Sequence, residues 1–424
     1  MHSRHGRKWT VALAGLVAVV SAACSSSGAT SANAGSSAPP NNSSTPPTLP
    51  DNPAKGESIK IGFVNNEGAA AFSTPELSVG SKTAVDLVNQ KFNGINGRPI
   101  EVVRCLDDGS PEKSIACANQ FVEAKVVAVQ EGVDVGADAM LPILKDAGIP
   151  LVGHVQFGPA RMFDAHSYYF GAAAIAYGGA ALKFYKDQGA HSIEWFFGDV
   201  PSSHAFTDSV LAPTAKQLGL DYKTVYYDPA NPNWSVLAAT TVADNPDVSG
   251  ALAAIDSQCT DLITALQDAG YHGKILGSSC QKLYANLGDK AAGVVVDFDH
   301  WNADPAAAPA DKQKDLQLYR DAMTLAGHAD LINGNAFIGF ADTMTLASVL
   351  RTVTGTFDGT TVEAALMATK NAQSFGGPTI TCDHTVMPGN SACAAGLLFD
   401  EIQKGGSYKQ LTPDFISGIV APAS

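Results

Sequence analysis

Short apolar runs alternate with amphipathic stretches along most of the chain after residue 58. The first apolar runs are Ile59–Asn65, Ile100–Leu106 and Val126–Gln130, and apolar residues at helical spacing lie between them. Strands that alternate with helices of this length are typical of a parallel sheet covered by helices on both faces. The pattern therefore predicts an α/β fold.

A second array of the same kind starts with the helix Gly178–Gln188 and the strand Ser192–Phe197. Three helices follow this array without an intervening strand, over Lys312–Ala326, Asn335–Thr354 and Thr360–Ala368. Such helices need a sheet to cover, and the first array has few helices of its own. We therefore expect two doubly wound parallel-sheet lobes, with the late helices returning to the first lobe.

Composition limits the possible functions. The chain of 424 residues is 45% apolar and 16% charged, which suits two domains with substantial cores. Acidic side chains outnumber basic ones by 41 to 27, and the net charge is −14. A protein that binds nucleic acid needs a basic surface to neutralise phosphates. The charge therefore excludes nucleic acid as a partner.

The N-terminus has the pattern of an export signal. Basic residues between Arg4 and Lys8 precede the apolar run Trp9–Val20, and small residues follow over Ser21–Ala23. A positive segment, a short apolar run and a small-residue cleavage site are typical of a secretory signal peptide. We assign residues 1–23 to such a peptide.

Cys24 follows directly, so the segment resembles a bacterial lipoprotein signal, in which this Cys becomes the mature N-terminus and carries lipid. Residues 24–57 are rich in Ser and Pro, which predicts a disordered tether between the lipid and the globular part. The protein would then be anchored at the extracytoplasmic face of the cell membrane. The alternative is a plain secreted protein in which Cys24 is incidental.

Six further cysteines lie in the exported part, where an oxidising environment favours disulfide bonds over metal or thiol chemistry. They fall into three sets that are close along the chain. One set follows two consecutive strands, whose ends in a parallel sheet often lie within bridging reach. We predict three disulfide bonds: Cys105–Cys117, Cys259–Cys280 and Cys382–Cys393.

Several ordered segments between residues 58 and 402 resemble a known family. The segment Leu87–Ile100, with its Gly-Ile-Asn-Gly-Arg-Pro, is similar to the turn after the family's first helix. Asp107–Val122 is similar to the strand–helix passage that follows, and Asp146–Pro150 to the turn into the fourth strand. The family is that of the periplasmic leucine/isoleucine/valine-binding proteins, the type I solute-binding proteins of ATP-driven importers.

The resemblance implies a fold of the periplasmic-binding-protein type I class. The lobes would be joined by three crossovers, near Phe170–Ala173, Asp297–Trp301 and Ser374–Gly377. The N-terminal lobe would comprise residues 58–172 and 302–374, and the C-terminal lobe residues 173–301 and 375–424. The cysteine pairs 105/117 and 382/393 also resemble those of actinobacterial members.

By this resemblance the protein is not an enzyme. It would capture a small solute between its lobes and deliver it to the permease subunits of an ABC importer, as a monomer without a cofactor or metal ion. Two alternatives stay open at this point. The same fold could act as a ligand sensor that docks on a signalling receptor, or it could carry hydrolase activity, since a fold alone gives no activity.

Ligands of open α/β sheets bind at the loops beyond the carboxyl ends of the strands. The family holds an amino acid's α-carboxylate with hydroxyl groups after the third and fourth strands, but this chain has Asp134–Gly136 and Phe157 there. We therefore expect a small polar or aromatic-bearing solute and not an aliphatic amino acid. Asp256 could instead be only a helix N-cap. The predicted ligand contacts are Phe72, Asp134, His154, Gln156, Phe157, Asp199, Ser202, Asp256, Gln258, Ser279 and Trp301.

Motifs of enzymes are weak in this sequence. The motifs HExxH and GxSxG are absent, and Gly80-Ser81-Lys82-Thr83 lacks the spacing of a phosphate-binding loop. His204 lies beside Ser202 and Ser203, but the sequence offers no third group to orient a nucleophile. The histidines are scattered without metal-ligand spacing, which predicts no metal site.

Overall fold

The computed structural model describes residues 49–67, 73–252, 256–278, 280, 282–301 and 305–419. The predicted signal peptide, Cys24 and most of the predicted tether lie outside these residues. Strands and helices alternate in the first part of the chain, as predicted. In order they are β1 (Ile59–Asn66), α1 (Pro75–Lys91), β2 (Ile100–Asp107), α2 (Pro111–Ala124), β3 (Val129–Glu131), α3 (Leu141–Asp146), β4 (Leu151–Gly153), α4 (Pro159–Met162) and β5 (Ser167–Ala172).

The second array follows without a break. Its elements are α5 (Ala176–Asp187), β6 (Ser192–Gly198), α6 (Pro201–Phe206), α7 (Ala212–Leu218), β7 (Asp221–Tyr227), α8 (Trp234–Asp244), β8 (Val248–Ala251), α9 (Asp256–Asp268), β9 (Lys274–Gly277), α10 (Leu283–Leu287) and β10 (Val295–Phe298). A π-helical turn over Thr207–Leu211 links α6 to α7.

The last part of the chain supplies the three late helices and several short strands. They are α11 (Ala310–Leu325), α12 (Ala336–Leu350), α13 (Gly359–Met367), β11 (Ala372–Gln373), β12 (Thr379–Ile380), β13 (Ala392–Ala394), β14 (Gly396–Ile402), β15 (Tyr408–Gln410) and β16 (Ile416–Ser417).

Local signals explain where several helices begin and end. The Ser110 hydroxyl accepts a hydrogen bond from the Lys113 amide at 3.3 Å, and α2 starts at the next residue. Lys125 takes a left-handed conformation, with φ of 57°, and ends the same helix. Asp358 and Thr361 form a reciprocal capping box at the start of α13.

The strands form two main sheets, each covered by helices. Within the described residues the first sheet has six parallel strands in the order β13-β5-β4-β3-β1-β2. The second has eight, in the order β15-β14-β10-β9-β8-β6-β7, with β16 paired to β14. Its strands β6 to β10 are parallel, and β14 runs antiparallel to β10. This confirms the predicted fold class of two doubly wound lobes.

The chain passes between the sheets three times. It leaves β5 for α5 after Ala172 and leaves β10 for α11 after Phe298, where the first two crossovers are predicted. The third prediction, at Ser374–Gly377, is wrong. Ala392 in β13 pairs in parallel with Tyr169 in β5, so the chain stays with the first sheet until the crossover at Ala395. Residues 375–394 therefore belong with the first lobe and not with the C-terminal lobe to which the prediction assigned them.

The late helices pack on the first lobe, which here means the sheet containing β1 and the helices on it. Helix α12 crosses α1 so closely that a Cβ on Gly80 would lie 1.9 Å from the Ala336 carbonyl oxygen. A Cβ on Gly339 would lie 2.1 Å from the Leu77 carbonyl oxygen. Glycine at both crossing points lets the two backbones touch. The predicted return of these helices is confirmed.

The segment 49–57 corrects the predicted tether. The Asn52 amide donates to the Gln90 carbonyl oxygen at 2.9 Å, and the Ala54 amide donates to the Asn89 carbonyl oxygen at 2.9 Å. Leu49 packs against the core of the first lobe. These contacts fix the segment along the end of α1, so the prediction of a disordered tether is wrong for residues 49–57.

All three predicted disulfide bonds are confirmed. Cys105–Cys117 joins β2 to α2, Cys259–Cys280 joins α9 to the loop after β9, and Cys382–Cys393 joins the segment after β12 to β13. Their Cα atoms are separated by 5.6, 6.0 and 4.4 Å. The third bond ties β13, the edge strand of the first sheet, to the start of the loop that leads into it.

Candidate functional site

The carboxyl ends of strands from both sheets meet where the chain crosses between the lobes. His154 follows β4 directly, Ala172 ends β5, and Asp299 follows β10 of the second sheet. The imidazole Nε2 of His154 lies 2.9 Å from Asp299 Oδ1. A side chain of the first lobe is thus bound directly to the second crossover. In α/β sheets this edge is where ligands bind.

Five side chains form a group at this point, which we call the junction cluster. Four of them are buried and Tyr177 is half-buried. They are His154, Tyr177, Asp299, His300 and Asp342. The second nitrogen of His154, Nδ1, lies 3.0 Å from Asp342 Oδ1 in α12. His300 Nδ1 lies 3.0 Å from Asp299 Oδ1. Asp299 Oδ2 accepts hydrogen bonds from the Ala172 amide at 3.1 Å and from the Tyr177 hydroxyl at 3.2 Å. Four donors therefore surround one carboxylate.

Charge pairing dominates the cluster. Burial disfavours a charged imidazole, yet the carboxylates of Asp299 and Asp342 raise the pKa of His154 well above its usual value. Burial also works against the ionised form of Asp299, but the charge and hydrogen bonds of His154 lower the pKa of Asp299 well below its ordinary range. For Asp342 burial prevails, and the pKa is raised. His154 is therefore the cation that compensates the buried carboxylates.

A glycine makes room for the junction cluster. A Cβ built on Gly171, in β5, would lie 2.5 Å from Asp299 Oδ2 and 2.7 Å from the His154 carbonyl oxygen. No side chain fits in that space without displacing the carboxylate or the backbone of the β4 loop.

Among the described residues, one set of side chains lies close enough together to hold a metal ion. The ligand atoms of His154, Asp299 and His300 all lie within 4.8 Å of one another, and all three residues are buried. The sequence pattern predicts no metal site, because residues 154 and 299 are too far apart for any local spacing to appear.

A buried network of charged side chains lies beneath the loops after β3 and β4 of the first lobe. Arg161 is fully buried, and its guanidinium bonds to Glu131, to Asp138 Oδ1 at 2.8 Å and to the Asp134 carbonyl oxygen at 2.7 Å. The Tyr169 hydroxyl donates to Glu131 Oε2 at 2.7 Å. Burial raises the pKa of Glu131 although Arg161 lies beside it. The network fixes the loops after β3 and β4 in place.

Two apolar side chains of these loops face solvent. Val135 is 50% exposed and Phe157 is 53% exposed, although both belong to loops at the carboxyl edge of the first sheet. Single exposed apolar side chains are common on protein surfaces, so exposure alone does not mark a site. Their place at the carboxyl edge of the sheet makes these two candidate ligand contacts.

The second lobe offers polar and aromatic groups at its own carboxyl edge. His204 stacks on Tyr226, with ring centroids 3.9 Å apart, and its Nε2 lies 2.8 Å from Asp199 Oδ1. The Tyr227 hydroxyl donates to Gln258 Oε1 at 3.0 Å. His204 is thus engaged with Asp199 and not with Ser202 or a neighbouring serine, which leaves the sequence-level idea of a Ser–His nucleophile without support.

Besides His154, the structure buries three of the predicted ligand contacts. Asp134 accepts hydrogen bonds from Ser114 and from the Gly136 amide, each at 2.7 Å, which corrects the expectation that its carboxylate faces a ligand. Gln156 is bound to Asn390 and Ser391. Trp301 packs against Phe415 in the core of the first lobe. These residues form the framework of the site.

The other predicted contacts divide into two groups. His154 is in the junction cluster, while Phe157, Asp199 and Ser202 are exposed and Gln258 is half-buried. Phe72, Ser279 and the side chain of Asp256 lie outside the described residues. Asp256 itself is the first residue of α9, one position inside the helix from the N-cap position expected for it.

Sequence reasoning missed Asp342 and Tyr177. Asp342 lies in the middle of α12, whose sequence is otherwise apolar or hydroxyl-bearing, and is 2% exposed. A buried carboxylate needs a cationic or hydrogen-bonding partner, so its position in such a helix was a usable signal. Tyr177, near the start of α5, gave no comparable signal.

These features define a two-lobed solute-binding architecture: parallel sheets whose carboxyl edges meet at a junction of short crossovers. The family model for periplasmic binding proteins matches residues 58–393, and the chain belongs to this family. The family is a class of solute-binding proteins and not of enzymes. No curated protein matches the chain significantly.

Solved structures share the fold at low sequence identity. An extracellular ligand-binding receptor from Verminephrobacter eiseniae is 16% identical with a TM-score of 0.68, and the match covers 83% of this chain and 99% of that one. A leucine-binding protein from Thermotoga maritima is 16% identical with a TM-score of 0.66, covering 85% and 99%. An ABC transporter substrate-binding protein from Aeropyrum pernix is 16% identical with a TM-score of 0.70, covering 85% and 96%.

Of the helices in the described part of the chain, none combines the length and apolar character that crossing a membrane requires.

Proposed function

We propose that the protein is an extracytoplasmic lipoprotein that captures a small solute between its lobes and delivers it to the permease subunits of an ABC importer. The observation that carries this proposal is that both sheets direct carboxyl edges to one junction, which the chain crosses only at short connections. Lobes connected in this way can close around a solute by hinge motion. A lipid on Cys24 would keep the protein at the cell membrane, where it acts as a monomer.

The proposed ligand is a small polar or aromatic-bearing solute and not an aliphatic amino acid. Val135 and Phe157 are exposed apolar side chains at the carboxyl edge of the first lobe, and the second lobe offers Asp199 and Gln258. The Ser114 hydroxyl is already bound to Asp134 beneath the loop after β3, so it cannot serve a ligand carboxylate. A buried carboxylate without donors would cost several kcal/mol, which favours ligands with amine, amide or hydroxyl groups.

The first experiment identifies the ligand. Mass spectrometry of small molecules released from the purified protein supplies candidates, and calorimetry compares them with leucine, isoleucine, valine and a panel of amines, amides and aromatic solutes. We expect saturable binding of a donor-bearing or aromatic solute and none of leucine. Micromolar binding of leucine would contradict the proposed ligand class but not solute capture.

A matched pair of variants tests the location of the site. Phe157→Ala removes the exposed ring at the carboxyl edge and should weaken binding of the identified solute at least tenfold. Phe163→Ala removes a ring that is 64% exposed on the same lobe but lies beyond α4, and it should leave affinity unchanged. Equal affinities of both variants and the unmodified protein would place the solute elsewhere. Solute uptake by cells with and without the gene then tests delivery.

A further inference from the structure

Two imidazole nitrogens and one carboxylate oxygen of the junction cluster lie close together. Asp299 Oδ1 lies 2.9 Å from His154 Nε2 and 3.0 Å from His300 Nδ1. Around a tetrahedral zinc ion with bonds of about 2.0–2.1 Å, neighbouring ligand atoms are about 3.3 Å apart. Small side-chain shifts would therefore suffice to place an ion between these three groups.

Each of these groups also has a second contact that fixes its orientation, as the ligands of metal sites usually do. His154 presents its other nitrogen to Asp342 at 3.0 Å, an arrangement that orients an imidazole and raises its basicity. Asp299 keeps Oδ1 directed to the two imidazoles because its Oδ2 is bound by the Ala172 amide and the Tyr177 hydroxyl. The ring of His300 stacks on Phe337 with centroids 4.8 Å apart. Packing and hydrogen bonds thus preorganise all three.

We propose that His154, Asp299 and His300 bind a divalent transition metal ion, with Zn²⁺ the ion best suited to two imidazoles and one carboxylate. The ion would displace to solvent the protons by which His154 Nε2 and His300 Nδ1 donate to Asp299, and its two charges would then balance both buried carboxylates, those of Asp299 and Asp342. Three protein ligands leave a fourth position for water or for a donor atom of the solute. This site is additional to solute capture and does not depend on which solute the protein binds.

The location of the ion gives it a structural consequence. His154 belongs to the loop after β4 of the first lobe, whereas Asp299 and His300 belong to the second crossover. A metal ion bound there joins the first lobe to the hinge and limits its movement. The side chains of His154 and His300 keep 10% and 9% of their surface exposed, which leaves a route for the ion.

The test measures zinc binding by the full chain purified in detergent and stripped of metal with a chelator. Calorimetry with ZnCl₂ should give a micromolar or tighter site that His154→Gln and His300→Gln each weaken at least tenfold. His272→Gln is the matched control, because His272 is exposed and precedes β9, at the amino edge of the second sheet and away from the cluster. The zinc affinity of this variant should equal that of the unmodified protein. Circular dichroism checks that each variant is folded.

A second readout does not depend on any variant. Co²⁺ bound by two imidazoles, one carboxylate and a water should give the intense visible absorption of a tetrahedral ion, and Zn²⁺ should abolish it. Absence of zinc binding, a weak octahedral cobalt spectrum, or equal zinc affinity in His154→Gln, His300→Gln and His272→Gln would overturn the proposal. In those cases the cluster is a hydrogen-bonded ion pair only.

Discussion

The carboxylates of Asp107 and Asp134 converge on one hydroxyl group, that of Ser114. Its Oγ lies 2.7 Å from Asp134 Oδ2 and 3.2 Å from Asp107 Oδ2. One hydroxyl proton cannot serve both carboxylates at once. Burial and the nearby Glu131 and Asp107 carboxylates raise the pKa of Asp134 to about 7, and burial raises the pKa of Asp107 as well.

Stability should therefore fall as pH rises from about 4 to about 7 through this pair. In that range Asp134 keeps its proton in the folded protein, but the unfolded chain has lost it, so the folded state binds more protons and each rise in pH favours unfolding. Asp134→Asn removes the titrating group and should flatten this part of the profile. Urea denaturation between pH 4 and 8 measures the effect.

The control for the pH profile is Asp86→Asn, which changes an exposed carboxylate on α1 paired with Lys82. This variant should follow the profile of the unmodified protein. If Asp134→Asn also follows it, Asp134 does not hold a proton near neutral pH.

Arg161 should be essential for stability because it is the buried cation between Glu131 and Asp138. Arg161→Met keeps much of the side-chain volume but leaves Glu131 buried without its partner, which typically costs about 3–5 kcal/mol. Lys82→Met, on an exposed ion pair, should cost less than about 0.5 kcal/mol. Denaturant unfolding compares the two. Equal losses would mean that the network contributes little.

Gly171→Ala should disturb the junction cluster, since its methyl group would lie 2.5 Å from Asp299 Oδ2. We expect a loss of about 1–3 kcal/mol, as for other overpacked sites. Gly198→Ala is the matched substitution, because its methyl group would meet no atom closer than Pro229 Cβ at 3.5 Å. Thermal unfolding decides: a Gly171→Ala protein as stable as Gly198→Ala would show that the cluster adapts freely.

Cys24 is expected to carry lipid. A clickable fatty acid supplied to growing cells should label the unmodified protein, and Cys24→Ala should be unlabelled and released into the medium. Ser25→Ala, one residue further on, should stay labelled and attached to cells. An unlabelled wild-type protein would support the alternative of plain secretion.

The sequence is sufficient to predict the alternation of strands and helices because the central strands are buried on both faces. In β1, for example, seven of eight residues are buried, and they include the apolar residues Ile59, Ile61, Phe63 and Val64 within a short segment. Consecutive strands of a parallel sheet are often adjacent, as β8 and β9 are, so the Cys259–Cys280 bond beyond their ends could be predicted.

Long-range pairings could not be predicted in this way. Strand β13 has three residues, too few for a periodic signal, and it belongs to the first sheet only because it pairs with β5. His154 meets Asp299 and Asp342 across 145 and 188 residues of chain. No local sequence pattern indicates contacts across such separations. The burial of Asp134, Gln156 and Trp301 depends on tertiary contacts of the same kind.

The position of β13 along the chain also determines when the first sheet can be completed during synthesis. A ribosome makes β1 to β5 first, but the strand that covers the free edge of β5 is complete only at Ala394, after β6 to β10 of the second sheet. Until then the nascent first lobe presents an unpaired parallel edge, and such edges recruit other strands. The nascent protein therefore stays open to aggregation at this edge while the strands of the second sheet are being made, and three residues at 392–394 complete a sheet that begins at Ile59.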